Sequence, residues 1–143
     1  PEFVRLRADL AGPDLDRKWV ASRAMTKYLT AHTMPDAWIE RATALGLLLP
    51  QAARVGMFSQ PFDNTDLIAR LQTLPMLFLM GARDFGAPEA QGRQLVARLP
   101  RSRLLIHPDD GHSPFIESPE QFNRELSEFV LSVVPAQASV GKN

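Results

Sequence analysis

The sequence predicts an α/β chain in which a helical stretch precedes a strand–helix–strand–helix unit of a doubly wound sheet. Two observations carry the sheet. The short apolar runs Pro75–Gly81 and Arg103–His107 each run into a polar, glycine-bearing loop, as strands covered on both faces do. Helical spacing fills the interval between them and resumes after the second, which is the order of a parallel sheet wound with helices. A third observation sets the boundary: residues 1–73 show helical spacing broken at prolines, with no strand pattern. We therefore expect a helical segment over 1–73, the sheet unit over 74–134 and a flexible tail over 135–143.

The elements follow in order. Asp14 is a plausible N-cap for a helix whose Leu15, Trp19, Met25, Tyr28 and Leu29 recur near helical spacing. Thr33 and Asp36 stand as a capping box would, ahead of a helix with Trp38, Ile39, Ala42 and Leu45 on one face. Pro50 opens a short helix through Met57, and Asp63 can cap a last one with Leu67, Ile68 and Leu71 inward. After the first strand, Pro88 marks a helix start, with Leu95, Val96 and Leu99 on its inner face. After the second, Ser118 at N-cap, Pro119 at N1 and Gln121 at N3 announce a helix with the stripe Phe122, Leu126, Phe129, Val130 and Val133.

Composition excludes several classes. Sixteen basic and sixteen acidic residues cancel, so no basic surface invites nucleic acid or an anionic membrane. There is no cysteine, hence no disulfide scaffold and no thiolate metal site. No apolar run approaches the roughly 20 residues of a membrane span. A cytoplasmic location is the expectation. The chain opens on Pro1-Glu2-Phe3, without an initiator Met, and reads like part of a longer protein.

In doubly wound sheets chemistry collects beyond the C-terminal ends of the strands. Two loops qualify: "GARDFGAP", with Asp84, and "HPDDGHSPF", with His112. Adjacent parallel strands would make these loops neighbours. An ionised Asp beside a His fixes the ring's tautomer and favours the imidazolium formed in proton transfer, leaving the other ring nitrogen free as a base. Asp109 and Asp110 are rivals for the acid, but they precede His112 too closely and suit a local Asx-type turn. Asp84 could instead be only a helix N-cap. His107 and His32 read as structural, and Glu117 as a brace for the histidine loop or the last helix. His107, Asp109 and His112 could be drawn as metal ligands, but no second cluster supports them, so no metal is expected. Trp19, Trp38, Met57 and Phe58 read first as core of the helical segment. Phe85, next to the acid, and Trp38 are the candidates for a substrate-pocket wall.

The stretch from "LPMLFLMGARDFGAP" to "HPDDGHSPFIESPEQFNRELSEFV", about residues 66–131, resembles the C-terminal part of the α/β-hydrolase family. That family places its triad acid in a strand-following G-x-x-D-x-x-V-P. Here Gly81, Asp84 and Pro88 match, with Ala87 in place of Val. Its triad histidine lies in P-x-x-G-H-x-x-x-x-E-x-P-x-x-F-N. Here Pro108, Gly111, His112, Glu117, Pro119, Phe122 and Asn123 match. The resemblance implies Asp84 and His112 as catalytic residues, a helical cap over 1–73 and no cofactor. It also implies a small ester or related carbonyl compound as substrate. The family's nucleophile motif, G-x-S-x-G, occurs nowhere in the chain. The nearest fragments, around Ser59 and Ser113, lack the second glycine and a preceding strand, and the glycine-rich oxyanion segment is also missing. The nucleophile, Ser or (as in dehalogenases and epoxide hydrolases) Asp, would then lie in an N-terminal half outside this chain. The alternative is a non-catalytic half-module that self-associates or pairs with a complementary half, since an open sheet edge seeks a partner.

Overall fold

A computed structural model of the chain describes residues 2–59 and 63–134. The side chain of Phe58 and the tail expected over 135–143 lie outside the described residues. The helical region contains α1 (Glu2–Ala11), α2 (Leu15–Tyr28), α3 (Asp36–Leu47), α4 (Gln51–Ser59), a 3₁₀ turn at Thr65–Leu67 and the one-turn α5 (Ile68–Leu71). The sheet region contains β1 (Met76–Gly81), α6 (Glu89–Val96), β2 (Ser102–His107), the one-turn α7 (Pro114–Glu117) and α8 (Pro119–Val133). The two strands pair in parallel, from Met76 opposite Ser102 to Gly81 opposite His107. α6 packs on both strands, and α7 and α8 pack on β1.

The helical region holds the densest core. Leu6 and Leu10 of α1 meet Ala21 of α2, with Met25 and Tyr28 alongside. Burying each leucine contributes about 1.5–3 kcal/mol. The spacing of Phe3, Leu6 and Leu10 forms α1, an element the sequence reading did not single out. On α2 the inward face differs from the expected one. Ala21, Ser22 and Thr26 are buried, whereas Leu15 and Trp19 are exposed. Small residues face inward because α2 is packed by both α1 and α3. Ser22 donates to the Thr43 carbonyl at 3.1 Å, and its hydroxyl occupies the space beside Gly46. On α3, Ile39 and Thr43 are buried while Leu45 faces out, 60% exposed. The buried Arg54 of α4 donates to the Gly46 carbonyl at 2.6 Å, satisfying an orphan acceptor near the end of α3.

Asp14 caps α2 as expected, accepting from the Arg17 N–H at 3.0 Å. Other start signals resolve differently. α3 begins at Asp36 with Pro35 in the cap position, and no side chain caps it, so Thr33 and Asp36 form no capping box. The fixed φ of proline, −56° here, sets the helix start instead. Asp63 accepts from the Thr65 N–H at 3.0 Å, one residue outside the 3₁₀ turn capped by Asn64. α4 continues to Ser59, past Met57. Ser118 does not cap α8: its hydroxyl donates to Asp110 at 2.8 Å, and Gln121 donates to Glu125 rather than reaching back. The charge-assisted bond to the buried carboxylate fixes the hydroxyl toward Asp110 and away from the cap position.

Helices flank the sheet region, but they leave much of its apolar surface half-buried. α8 has no buried residue, and Leu126 and Val130 of its apolar stripe are 38% and 43% exposed. An apolar groove remains between β1 and α8, lined by Leu77, Leu79, Phe122, Leu126, Phe129 and Val130. Among the described residues, β1 pairs with β2 alone.

Candidate active site

The two strands end side by side, and their loops are stitched together by the main chain. The Ala82 N–H donates to the His107 carbonyl at 2.8 Å, and the Arg83 N–H to the Asp110 carbonyl at 3.0 Å. Gly81 permits this approach: a Cβ there would lie 2.0 Å from the Gly111 oxygen and 2.2 Å from the Asp110 oxygen. Gly111 plays the same part toward the helical region, since its Cβ would meet the Ala31 nitrogen at 2.6 Å.

Asp84 and His112 meet across this junction. His112 Nδ1 lies 2.7 Å from Asp84 Oδ2, while Asp84 Oδ1 accepts from the Gly86 N–H at 2.8 Å. The carboxylate is 6% exposed and the imidazole 52%. An ionised carboxylate only accepts, so Nδ1 carries a proton, and in the neutral ring Nε2 keeps its lone pair. No partner for Nε2 occurs among the described residues. His112 lines a cavity of about 210 Å³ with Phe3, Met25, Tyr28, Leu29, Asp84, Phe85 and Gly86. Its walls are apolar apart from the acid–base pair. Phe85 is wedged between Phe3 (centroids 5.5 Å) and Tyr28 (4.8 Å), which joins the acid loop to α1 and α2. The Tyr28 hydroxyl donates to Glu2 at 2.9 Å, and that bond raises the phenol's pKa above its ordinary value.

Of the residues named for a pocket wall, Phe85 lines this cavity, while Trp38 sits half-buried on α3 and does not. Asp109 turns outward to Arg83 at 2.7 Å. Asp110 makes no side-chain Asx turn, contrary to expectation. It is buried and accepts from His107 Nδ1 at 2.7 Å and from Ser118, with His32 Nε2 at 3.3 Å. Buried within the fold, its carboxylate needs strong donors, and the nearby imidazoles supply them. His107, also buried, meets Glu125 at its other nitrogen, 2.7 Å away. Glu117 braces the histidine loop through the Gly111 N–H (2.7 Å) and also holds the Ala31 (2.5 Å) and His32 (2.8 Å) N–H groups. Sequence reasoning missed the His107–Asp110–Glu125 set. The three-residue spacing of His107 and Asp110 at a strand end was a signal, but Glu125 lies on another element.

The metal set drawn from sequence disperses, because His107, Asp109 and His112 turn to three different partners. Among the described residues, His32, Asp110 and Glu117 could present ligand atoms within 4.8 Å of one another, but their carboxylate oxygens are already taken by protein donors. Ser59 donates back to the Gly56 carbonyl at 3.1 Å, and Ser113 is buried at the start of α7. Among the described residues neither bonds to His112. No described helix is long and apolar enough to cross a membrane.

A parallel sheet wound with helices, its strand-end loops joined at an aspartate–histidine pair, makes this an α/β chain. No family model matches it. The chain is 32% identical over 88 residues to a pimeloyl-[acyl-carrier protein] methyl ester esterase of Nitrosomonas europaea, covering 60% of this chain and 34% of that protein. It is 30% identical to the Neisseria meningitidis protein of the same name, covering 92% of this chain and 48% of that one. A candidate aryl esterase from Burkholderia cenocepacia superposes with a TM-score of 0.79 at 25% identity, over 90% of this chain and 47% of its own. The chain thus spans less than half the length of each. It has the α/β-hydrolase fold, of which it comprises a part.

Proposed function

We propose that this chain supplies the acid and base of an esterase-like hydrolase, with the nucleophile and oxyanion hole contributed by an N-terminal half. One observation carries the reading: His112 Nδ1 is 2.7 Å from Asp84, and the ring lines an apolar cavity with Nε2 uncommitted. In the completed site His112 takes the proton of a serine hydroxyl as it attacks the ester carbonyl. It passes that proton to the departing alcohol, then activates water to release the acyl group. Asp84 holds the tautomer and stabilises the imidazolium formed on the way. The helical region acts as the cap, with Phe85, Phe3 and Tyr28 facing the apolar part of the substrate. The names of the relatives favour an ester bond, and the apolar walls favour a hydrocarbon chain beside it. No metal or cofactor takes part in this scheme.

The test is the upstream reading frame and a variant. A G-x-S-x-G should be encoded there. In the full protein, Asp84→Asn should lower kcat for aryl esters by about 10⁴, because the amide stabilises the wrong tautomer. This chain alone should hydrolyse them no faster than background. Full activity in Asp84→Asn would remove Asp84 from the mechanism. Fluorophosphonate labelling of Ser59 or Ser113 would place the nucleophile inside the chain.

The second reading, a non-catalytic half-module, is favoured by the open groove beside β1. Copies pairing through that groove, with no nucleophile encoded upstream, would select it.

A further inference from the structure

We propose that His107 is a positioning residue for His112, a buried imidazolium whose two carboxylate partners hold the histidine loop in register with the acid loop. The proposal rests on the acid–base role given to His112 above.

With both carboxylates ionised, the geometry places two protons on the ring. His107 Nδ1 is 2.7 Å from Asp110 Oδ2, and Nε2 is 2.7 Å from Glu125 Oε2. Ionised carboxylates are acceptors only, and a neutral imidazole has a single N–H to give. A neutral ring would therefore aim a lone pair at one of the two carboxylates. Burial alone would drive the ring toward neutrality, but the bonds to Glu125 and Asp110 outweigh it and raise the pKa above the ordinary 6.5. The surrounding groups agree. Glu125 on α8 sits below its usual range: burial opposes this, but Gln121 and His107 bond to it and Arg124 lies near. Asp110 also accepts from Ser118, at the start of α8, and faces His32 from the loop between α2 and α3.

The same residues carry the catalytic loops. Asp110 stands two residues before His112, and its carbonyl holds Arg83, the neighbour of Asp84. The His107 carbonyl holds Ala82. If His107 loses a proton, either Asp110 or Glu125 loses its donor. Asp110 is 1% exposed and cannot turn to water without moving its main chain. That movement separates His112 from Asp84.

The test is nitrogen-15 and downfield proton NMR across pH, on this chain or, should it not fold by itself, on the longer protein that carries it. The expected result is a doubly protonated His107 near pH 7, titrating above 6.5. The Nδ1–H signal of His112 should fade over the same pH interval. In Glu125→Gln, both transitions should move together to lower pH with an unchanged circular dichroism spectrum, which a merely structural role would not produce. A neutral His107 near pH 7, or a His112 signal indifferent to His107's titration, overturns the proposal. The wild-type titration decides even if the variant does not fold. No turnover is measured, so this result stands apart from that of Asp84→Asn.

Discussion

The polar end of the sheet and its apolar face are finished to different degrees. At the strand ends, every buried side-chain nitrogen and oxygen has a partner, as throughout the described residues. Along the face, Leu126 and Val130 stay open to solvent and no residue of α8 is buried. The contact of Asp84 with His112 is thus assembled from within this chain, whereas the apolar burial that should stabilise the sheet is not complete within it. Hydrogen bonds between loops need only local neighbours. A two-stranded sheet offers too little area to cover a fifteen-residue helix.

Three experiments sharpen that contrast. The largest effect belongs to the polar end. Asp110→Ala leaves a buried imidazolium with one partner and should cost about 3–5 kcal/mol in urea denaturation. A loss below about 1 kcal/mol would show that the cluster relaxes into water.

The next effect is the pH response of stability. His107 is raised, so its contribution is complete below 6.5 and is lost as pH rises through its higher folded value. Glu125 is lowered, so its contribution is complete above 4.5 and is lost as pH falls through its depressed folded value. Stability should therefore plateau between those limits and decline on both sides. Glu125→Gln should flatten the profile, and an unaltered profile would assign the pH response to other groups.

The smallest effect belongs to the open face. Leu126→Ala should cost this chain about 1 kcal/mol, well under the roughly 2–5 of a fully buried leucine. In a protein that completes the sheet, as proposed above, the full cost should return. A full cost in this chain alone would mean that the face is already covered, by a second copy for instance, and gel filtration would reveal that copy.

The strands and the meeting of Asp84 with His112 were legible because unbroken apolar runs and paired loop motifs are local signals. The inward face of α2 was not. Periodicity points to large apolar residues, but a helix packed on two sides buries Ala21, Ser22 and Thr26 and turns Trp19 outward. The cap signals at Thr33 and Ser118 mislead because proline sets one helix start and the bond to Asp110 turns the other hydroxyl away from the cap position. Asp110 reads as a turn residue in sequence because its partners His107, Ser118 and His32 come from β2, the start of α8 and the loop after α2, and no sequence spacing predicts that meeting. Trp38 was named as a wall on residue type alone, and the helix that carries it faces elsewhere.

Glu117 has a mechanical consequence. One oxygen of its carboxylate holds Gly111, next to His112, and the other holds Ala31 and His32 beyond the end of α2. The side chain is a tether between the helices that would feel a bound substrate and the loop that would react with it. A push that lifts α2 strains the two bonds to Glu117, and through its carboxylate reaches the residue beside His112. Load on the helices and alignment of His112 are thus coupled through this carboxylate, beside the His32–Asp110 contact.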